Sequence, residues 1–125
     1  MNKLPPPLEK DEQRTLIDWL EIKQWSFSAL PLSTYTTSWK QKMHNKAQGV
    51  RAGVPDLMVI VPELSGNKRR VFIEMKLTGR TASSLSQFQK EWIKDLNGTI
   101  GVRAFWCSGA LEAIKKLEEV SRCKI

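Results

Sequence analysis

Three residues with chemically useful side chains, Asp56, Glu74 and Lys76, border two apolar segments of strand length. Side chains alternate between the two faces of a strand, so in the segment 71–76 (VFIEMK) Glu74 and Lys76 share one face. Asp56 directly precedes the apolar segment 57–61 (LMVIV). If the two segments pair as a hairpin, the start of the first lies beside the end of the second, which places Asp56 next to Glu74 and Lys76.

Two carboxylates held close together repel each other unless a cation lies between them. Their hard oxygen ligands suit Mg²⁺ or Mn²⁺, and such an ion polarises a phosphate and lowers the pKa of a bound water. A neighbouring ammonium, here Lys76, can orient that water and stabilise developing charge. The same spacing also fits a plain ion pair between Glu74 and Lys76 with Asp56 capping a turn, and spacing alone does not separate the two interpretations.

Two further polar residues, Glu12 and Gln89, lie on the apolar faces of predicted helices. The face of Glu12 carries Leu16, Trp19 and Leu20, and the face of Gln89 carries Leu85, Phe88, Trp92 and Leu96. A carboxylate or amide that faces a core needs a polar partner, so both side chains are predicted to line the same site as Asp56 and Glu74. For Glu12 an alternative stays open, a frayed first helical turn where the helix dipole favours an acid.

Hydrophobic periodicity and turn signals predict eight elements along the chain. Helices are predicted at 9–24, 38–48, 86–96 and 110–121, and strands at 27–32, 57–61, 71–76 and 102–106. Apolar strands followed by alternating helix and strand indicate an α/β fold in which helices flank a central mixed β-sheet. The 125 residues fit one domain, predicted at 9–125 after an extended Pro-rich lead-in at 1–8.

The chain is strongly basic, with 20 Lys plus Arg against 13 Asp plus Glu and a formal net charge of +7. This excess favours a polyanionic partner, with nucleic acid ahead of an anionic membrane surface, although it could serve solubility alone. With one histidine and no CxxC pair, a Cys/His zinc site is excluded. The sequence has no signal-like or membrane-spanning apolar run, so we expect a cytoplasmic protein that does not bind membranes.

Taken together, the segments GVRAGVPDL, FIEMK and LSQFQKEW resemble the VRR-NUC family of the PD-(D/E)XK nuclease superfamily. The resemblance implies that superfamily's core, a mixed sheet between helices in the order α-β-β-β-α-β-α, and a phosphodiesterase that depends on Mg²⁺ or Mn²⁺. It also implies that Asp56, Glu74, Glu12 and the backbone carbonyl of Met75 bind the metal. Lys76 would assist the attacking water, and Gln89 matches a family glutamine near the site.

Basic residues on two segments are candidates for contacts to the nucleic-acid backbone. One group, around the predicted second helix, consists of Lys40, Lys42, Lys46 and Arg51, and the other, at the predicted hairpin tip, of Lys68, Arg69 and Arg70. A solvated helix face is the equally open alternative for the first group.

Stand-alone members of the family resemble Holliday-junction resolvases of bacteriophages and are usually homodimers. The resemblance therefore favours a DNA endonuclease that is selective for branched DNA and acts as a homodimer. Two alternatives stay open: a flap or less selective DNA nuclease, and a non-catalytic nucleic-acid-binding module with the same fold.

Overall fold

The computed structural model describes residues 8–30 and 38–123. The helices of this part of the chain are α1 (Glu9–Lys23), α2 (Trp39–Ala47), α3 (Gln87–Asn97) and α4 (Ala110–Ser121). The strands are β1 (Phe27–Ala29), β2 (Leu57–Pro62), β3 (Lys68–Lys76) and β4 (Val102–Ser108), and a short 3-10 turn spans Ala82–Ser84. No described helix is long and apolar enough to cross a membrane. The predicted lead-in at 1–8 lies outside the described residues except for Leu8.

The four strands form one mixed sheet in the order β1-β2-β3-β4. The first two neighbouring pairs are antiparallel, whereas β3 and β4 are parallel. Helix α3 connects the parallel strands, as such a crossover requires. The mixed sheet flanked by helices that the sequence predicts is confirmed.

The hairpin between β2 and β3 has the register that the sequence argument requires, because Leu57 pairs with Ile73. Continuing this antiparallel register by one residue places Asp56 opposite Glu74. The start of β2 and the end of β3 therefore meet at one edge of the sheet.

The two faces of the sheet are covered by different helices. Val71, Ile73 and Met75 are fully buried on one face, beneath α1 and α4. Helix α3 packs against β3 and β4 on the opposite face, which carries Phe72 and Glu74. A polar residue on that face is thus held between a strand and a helix.

Helix α2 is almost fully exposed, since every one of its residues except the half-buried Asn45 is open to solvent. Its N-cap is Ser38, whose hydroxyl accepts a hydrogen bond from the backbone N–H of Gln41. The helix predicted at 38–48 is therefore present, and it presents its lysines to solvent.

Two strand predictions need correction. The strand expected at 27–32 ends at Ala29, and residues 31–32 lie outside the described part of the chain. The prediction that Lys68, Arg69 and Arg70 form the tip of the hairpin is wrong, because all three belong to β3 and pair with β2. The ladder extends past the apolar segment since backbone pairing does not require apolar side chains.

Candidate active site

Asp56 is held at the start of β2 by a bond to the neighbouring strand. Its Oδ2 atom accepts a hydrogen bond of 2.8 Å from the backbone N–H of Met75 in β3. The N–H and C=O of one strand residue point to the same side of the strand, so the carbonyl of Met75 also points toward Asp56. Pro55, fully buried, restricts the backbone just before this carboxylate.

Glu74 is the one charged residue of the described chain that is buried as a whole residue, with 4% of its surface exposed. Its Oε1 atom accepts a hydrogen bond of 2.7 Å from the side-chain amide of Gln89 and lies 3.8 Å from the Lys76 ammonium. Its Oε2 atom is buried and has no hydrogen-bond partner among the described residues. An unpartnered carboxylate oxygen in such a position is costly and calls for a cation or a donor.

The environment raises the pKa of both carboxyl groups. Burial, followed by the charge of Asp56, raises the pKa of Glu74 to about 8, against the opposing effect of Lys76. Burial also raises the pKa of Asp56, while the N–H of Met75 and, more weakly, Lys76 lower it. Without a cation, Glu74 is therefore mostly protonated at pH 7.

Glu12 does not lie beside these two carboxylates. One of its oxygens accepts a hydrogen bond of 2.6 Å from the backbone N–H of Ala110, at the start of α4. The other accepts a bond of 2.9 Å from the hydroxyl of Thr78. Both interactions satisfy donors, and an acid at a helix N-terminus is stabilised there. The structure thus gives Glu12 a polar partner, as the helical-face argument required, but the partner is α4 and not the predicted metal site.

Glu9, one turn earlier in α1, is the acidic residue that faces the site. Its charge contributes to the raised pKa of both Asp56 and Glu74. The sequence contained a signal for it, because Glu9 precedes the buried residue Leu16 by two helical turns and so shares the face assigned to Glu12.

Gln89, not Gln87, is the glutamine of α3 that contacts the site. Besides its bond to Glu74, Gln89 accepts a bond of 2.8 Å from the backbone N–H of Ser86, which completes a capping box at the helix start. The amide of Gln87 instead donates to Glu91 on the same helix.

The sequence model of the VRR-NUC domain family matches residues 8–111. The chain belongs to the VRR-NUC family. A solved structure described as a VRR_NUC domain protein is 27% identical in sequence and superposes with a TM-score of 0.64, covering 94% of this chain and 90% of its own. No curated protein matches the chain. VRR-NUC is a nuclease-type domain, so the fold described above is nuclease-like.

The donor atoms of this VRR-NUC site fit a divalent cation. The chain offers the unpartnered Oε2 of Glu74, the Oδ1 of Asp56, which accepts no hydrogen bond from a described residue, and the nearby carbonyl of Met75. All are oxygen ligands of the kind that Mg²⁺ and Mn²⁺ prefer. Within residues 8–30 and 38–123, no three Asp, Glu, His or Cys side chains converge closely enough to hold an ion. Asp56 and Glu74 are the two carboxylates that the hairpin register brings together.

The predicted nucleic-acid contacts fall into two classes. The first class consists of residues that are exposed to solvent: Lys40, Lys42, Lys46, Arg51, Lys68 and Arg70. Arg69 is different, because its Nε lies 3.5 Å from Oε1 of Glu63, whose side chain is 4% exposed. A half-buried ion pair of this kind leaves Arg69 poorly placed to bind a phosphate.

Proposed function

We propose that the chain is a DNA endonuclease that hydrolyses phosphodiester bonds with the help of Mg²⁺ or Mn²⁺. The observation that carries the proposal is the pair of carboxylates, Asp56 and Glu74, held at one sheet edge with the Oε2 of Glu74 buried and unpartnered. Membership of a nuclease-type family and the net charge of +7 support the same conclusion.

In the proposed site Asp56, Glu74 and the carbonyl of Met75 hold the cation. When bound, the ion would polarise the scissile phosphate and lower the pKa of a coordinated water. Its charge would also favour the ionised form of Glu74, whose pKa of about 8 in the bare site disfavours ionisation.

The remaining residues orient groups and manage charge. The side-chain amide of Gln89 donates a hydrogen bond to Oε1 of Glu74, which would leave Oε2 to bind the cation. Lys76 places an ammonium next to the carboxylate pair, where it can orient the attacking water and stabilise negative charge on the phosphate. The carboxylates of Asp56 and Glu74 would be taken up as cation ligands, so water and not a side chain would be the attacking group.

The first experiment tests catalysis and its metal requirement. Purified protein is incubated with labelled DNA in EDTA, Mg²⁺ and Mn²⁺, together with the variants Glu74→Gln, Asp56→Asn and Lys76→Met. We expect cleavage with either metal, none in EDTA, and a loss of at least about 100-fold in each variant. The matched control is Lys115→Met, an exposed lysine of α4, which should cut as fast as the wild type. If the wild type binds DNA but cuts nothing with either metal, the chain is a non-catalytic binding module.

We further propose that the substrate is branched DNA of the Holliday-junction type and that the protein acts as a homodimer. This finer proposal rests on the family resemblance and on symmetry, since two sites about a two-fold axis suit a symmetric four-way junction. The test compares four-way, flap, splayed and linear duplex DNA under identical conditions, with light scattering to measure the mass in solution. The junction-specific proposal is wrong if linear duplex and junction are cut equally, or if the protein is a monomer at active concentrations. A flap or less selective nuclease would then be the better description.

A further inference from the structure

A cavity of about 350 Å³ opens beside the end of β3. Its lining residues are Glu9, Lys76, Leu77, Arg80 and Ser84. Lys76 connects it to the carboxylate pair, because its Nζ lies 3.8 Å from Oε1 of Glu74. The cavity is thus the space next to the candidate active site.

Arg80 is the cation of this cavity that is available to a ligand. It is exposed, and no carboxylate among the described residues lies within ion-pair distance of its guanidinium. Lys76, in contrast, already lies against Glu74, and the hydroxyl of Ser84 donates to the carbonyl of Thr81. Binding of an anion would therefore fall mainly to Arg80.

The turn that carries Arg80 is fixed from three directions. The backbone N–H of Arg80 donates to the carbonyl of Leu77, and Gly79 at the corner has φ +91°. The N–H of Gly79 donates to Ser108, whose hydroxyl in turn donates to Leu77.

The third tie comes from α1, where Glu12 accepts the hydroxyl hydrogen of Thr78. Since Thr78 lies between Lys76 and Arg80, the same tie restrains the spacing of the two cations. These ties hold the backbone of the turn, so they fix the point from which the Arg80 side chain extends beside the cavity.

We propose that this cavity binds a backbone phosphate of a nucleic-acid strand, adjacent to the scissile phosphate, and that Arg80 is its main contact. The inference rests on the proposed nuclease function and adds a subsite to it. The lining residues Lys76, Arg80 and Glu9 carry two positive charges and one negative charge. The net single positive charge matches the single negative charge of a phosphodiester, and a planar guanidinium can bind its two free oxygens together.

The test measures binding without cleavage. A short labelled single-stranded oligonucleotide is titrated in EDTA, by fluorescence anisotropy at several NaCl concentrations, with the wild type, Arg80→Gln, Arg80→Lys and the control Lys115→Gln. We expect Arg80→Gln to raise Kd about tenfold and to reduce the slope of log K against log salt by about 0.7. Arg80→Lys should keep the salt slope, because the charge is kept, but lose part of the affinity with the two-oxygen contact, whereas Lys115→Gln should keep both affinity and slope.

Cleavage kinetics on the same variants separate the subsite from the chemistry. With Mg²⁺, Arg80→Gln should raise KM more than it lowers kcat, because the contact is made in both ground and transition states. If Arg80→Gln binds with the Kd and salt slope of the wild type, and the wild type cleaves DNA, the proposed phosphate subsite is wrong and the proposed nuclease function stands. If Arg80→Gln weakens binding as expected but the wild type never cleaves DNA, the phosphate subsite is supported and the proposed nuclease function is wrong.

Discussion

The side chain of Gln89 joins Glu74 to the start of α3. Its amide nitrogen donates 2.7 Å to Oε1 of Glu74, and its amide oxygen accepts 2.8 Å from the backbone N–H of Ser86. One residue thus caps a helix and orients a buried carboxylate. Because both ends of the amide are used, its flip state is fixed, and the donor must face Glu74.

Substitution of Gln89 separates these two tasks. Gln89→Glu keeps an oxygen acceptor for the Ser86 N–H but removes the donor to Glu74 and adds a like charge beside it. We expect kcat to fall about 10- to 100-fold, as for other residues that orient a metal ligand, with a lower thermal midpoint in a protein that is still folded at the assay temperature. Gln87→Ala is the control, since the amide of Gln87 hydrogen-bonds to the exposed Glu91, and should retain full activity. Wild-type kcat in Gln89→Glu would contradict the orienting role.

Two acids of α1 should behave differently when each is replaced by glutamine. Glu9→Gln removes a charge that raises the pKa of Glu74, so that pKa should fall, as followed by carboxyl-carbon NMR of the metal-free protein. Glu12→Gln removes a charged partner of Thr78 and of the Ala110 N–H, and should lower the free energy of unfolding by about 1–2 kcal/mol. The two acids would have been assigned to the wrong partners if the Glu74 pKa is unchanged in Glu9→Gln. A lowered Glu74 pKa in Glu12→Gln would show the same.

The hairpin argument succeeded because it depends only on the alternation of side chains between the two faces of a strand and on the register of the two paired strands. Alternation along 71–76 puts Glu74 and Lys76 on one face, and the apolar segment at 57–61 leaves one register that buries both strands. Asp56 then has to lie near Glu74, whatever the rest of the fold does. Local sequence therefore predicted the central pair of the candidate site.

The helical-face argument was weaker because it gives a direction around the helix axis but no position along it. Glu9 and Glu12 lie on one face of α1, and that shared face does not say which acid lies next to α4 and which next to the carboxylates. That contact joins Glu12 to Ala110, 98 residues apart, and no local pattern encodes it. The cavity at Arg80 was missed for a similar reason, since it depends on a turn held by Ser108 and Glu12.

Gly53 should be far less tolerant of a side chain than another glycine of the same backbone conformation. It has φ +90°, and a Cβ there would lie 2.5 Å from the backbone carbon of Phe88, at the start of α3. Gly66 in the β2–β3 turn has φ +93°, but a Cβ would meet nothing within 4 Å. Gly66→Ala should cost about 1 kcal/mol from the left-handed conformation alone.

Gly53→Ala adds a clash with backbone that cannot rotate away, and should cost about 1–3 kcal/mol more than Gly66→Ala. Chemical denaturation of both variants measures the difference. Since Gly53 lies against the start of α3 and three residues before Asp56, we also expect Gly53→Ala to lower kcat. Equal losses of stability in the two variants would mean that the contact with Phe88 relaxes freely.

The raised pKa of Glu74 makes the stability of the metal-free protein depend on pH. The group has a pKa of about 8 in the folded chain and 4.5 as the reference value, so between these values the folded state binds the extra proton. Its contribution to stability is therefore fully present below about pH 4.5 and is lost as pH rises through about 8. In EDTA, the thermal midpoint should fall over this range, by roughly 4 °C for each 1 kcal/mol lost.

Two comparisons assign that fall to Glu74 and to the proposed cation. Glu74→Gln keeps an oxygen to accept from Gln89 but cannot ionise, so its midpoint should fall much less between pH 5 and 8. Mg²⁺ or Mn²⁺ should raise the wild-type midpoint more at pH 8 than at pH 5, because the ion binds the ionised carboxylates and must displace the proton at lower pH. The same metal should leave Glu74→Gln nearly unchanged. A shift of equal size at both pH values would place the cation away from Asp56 and Glu74.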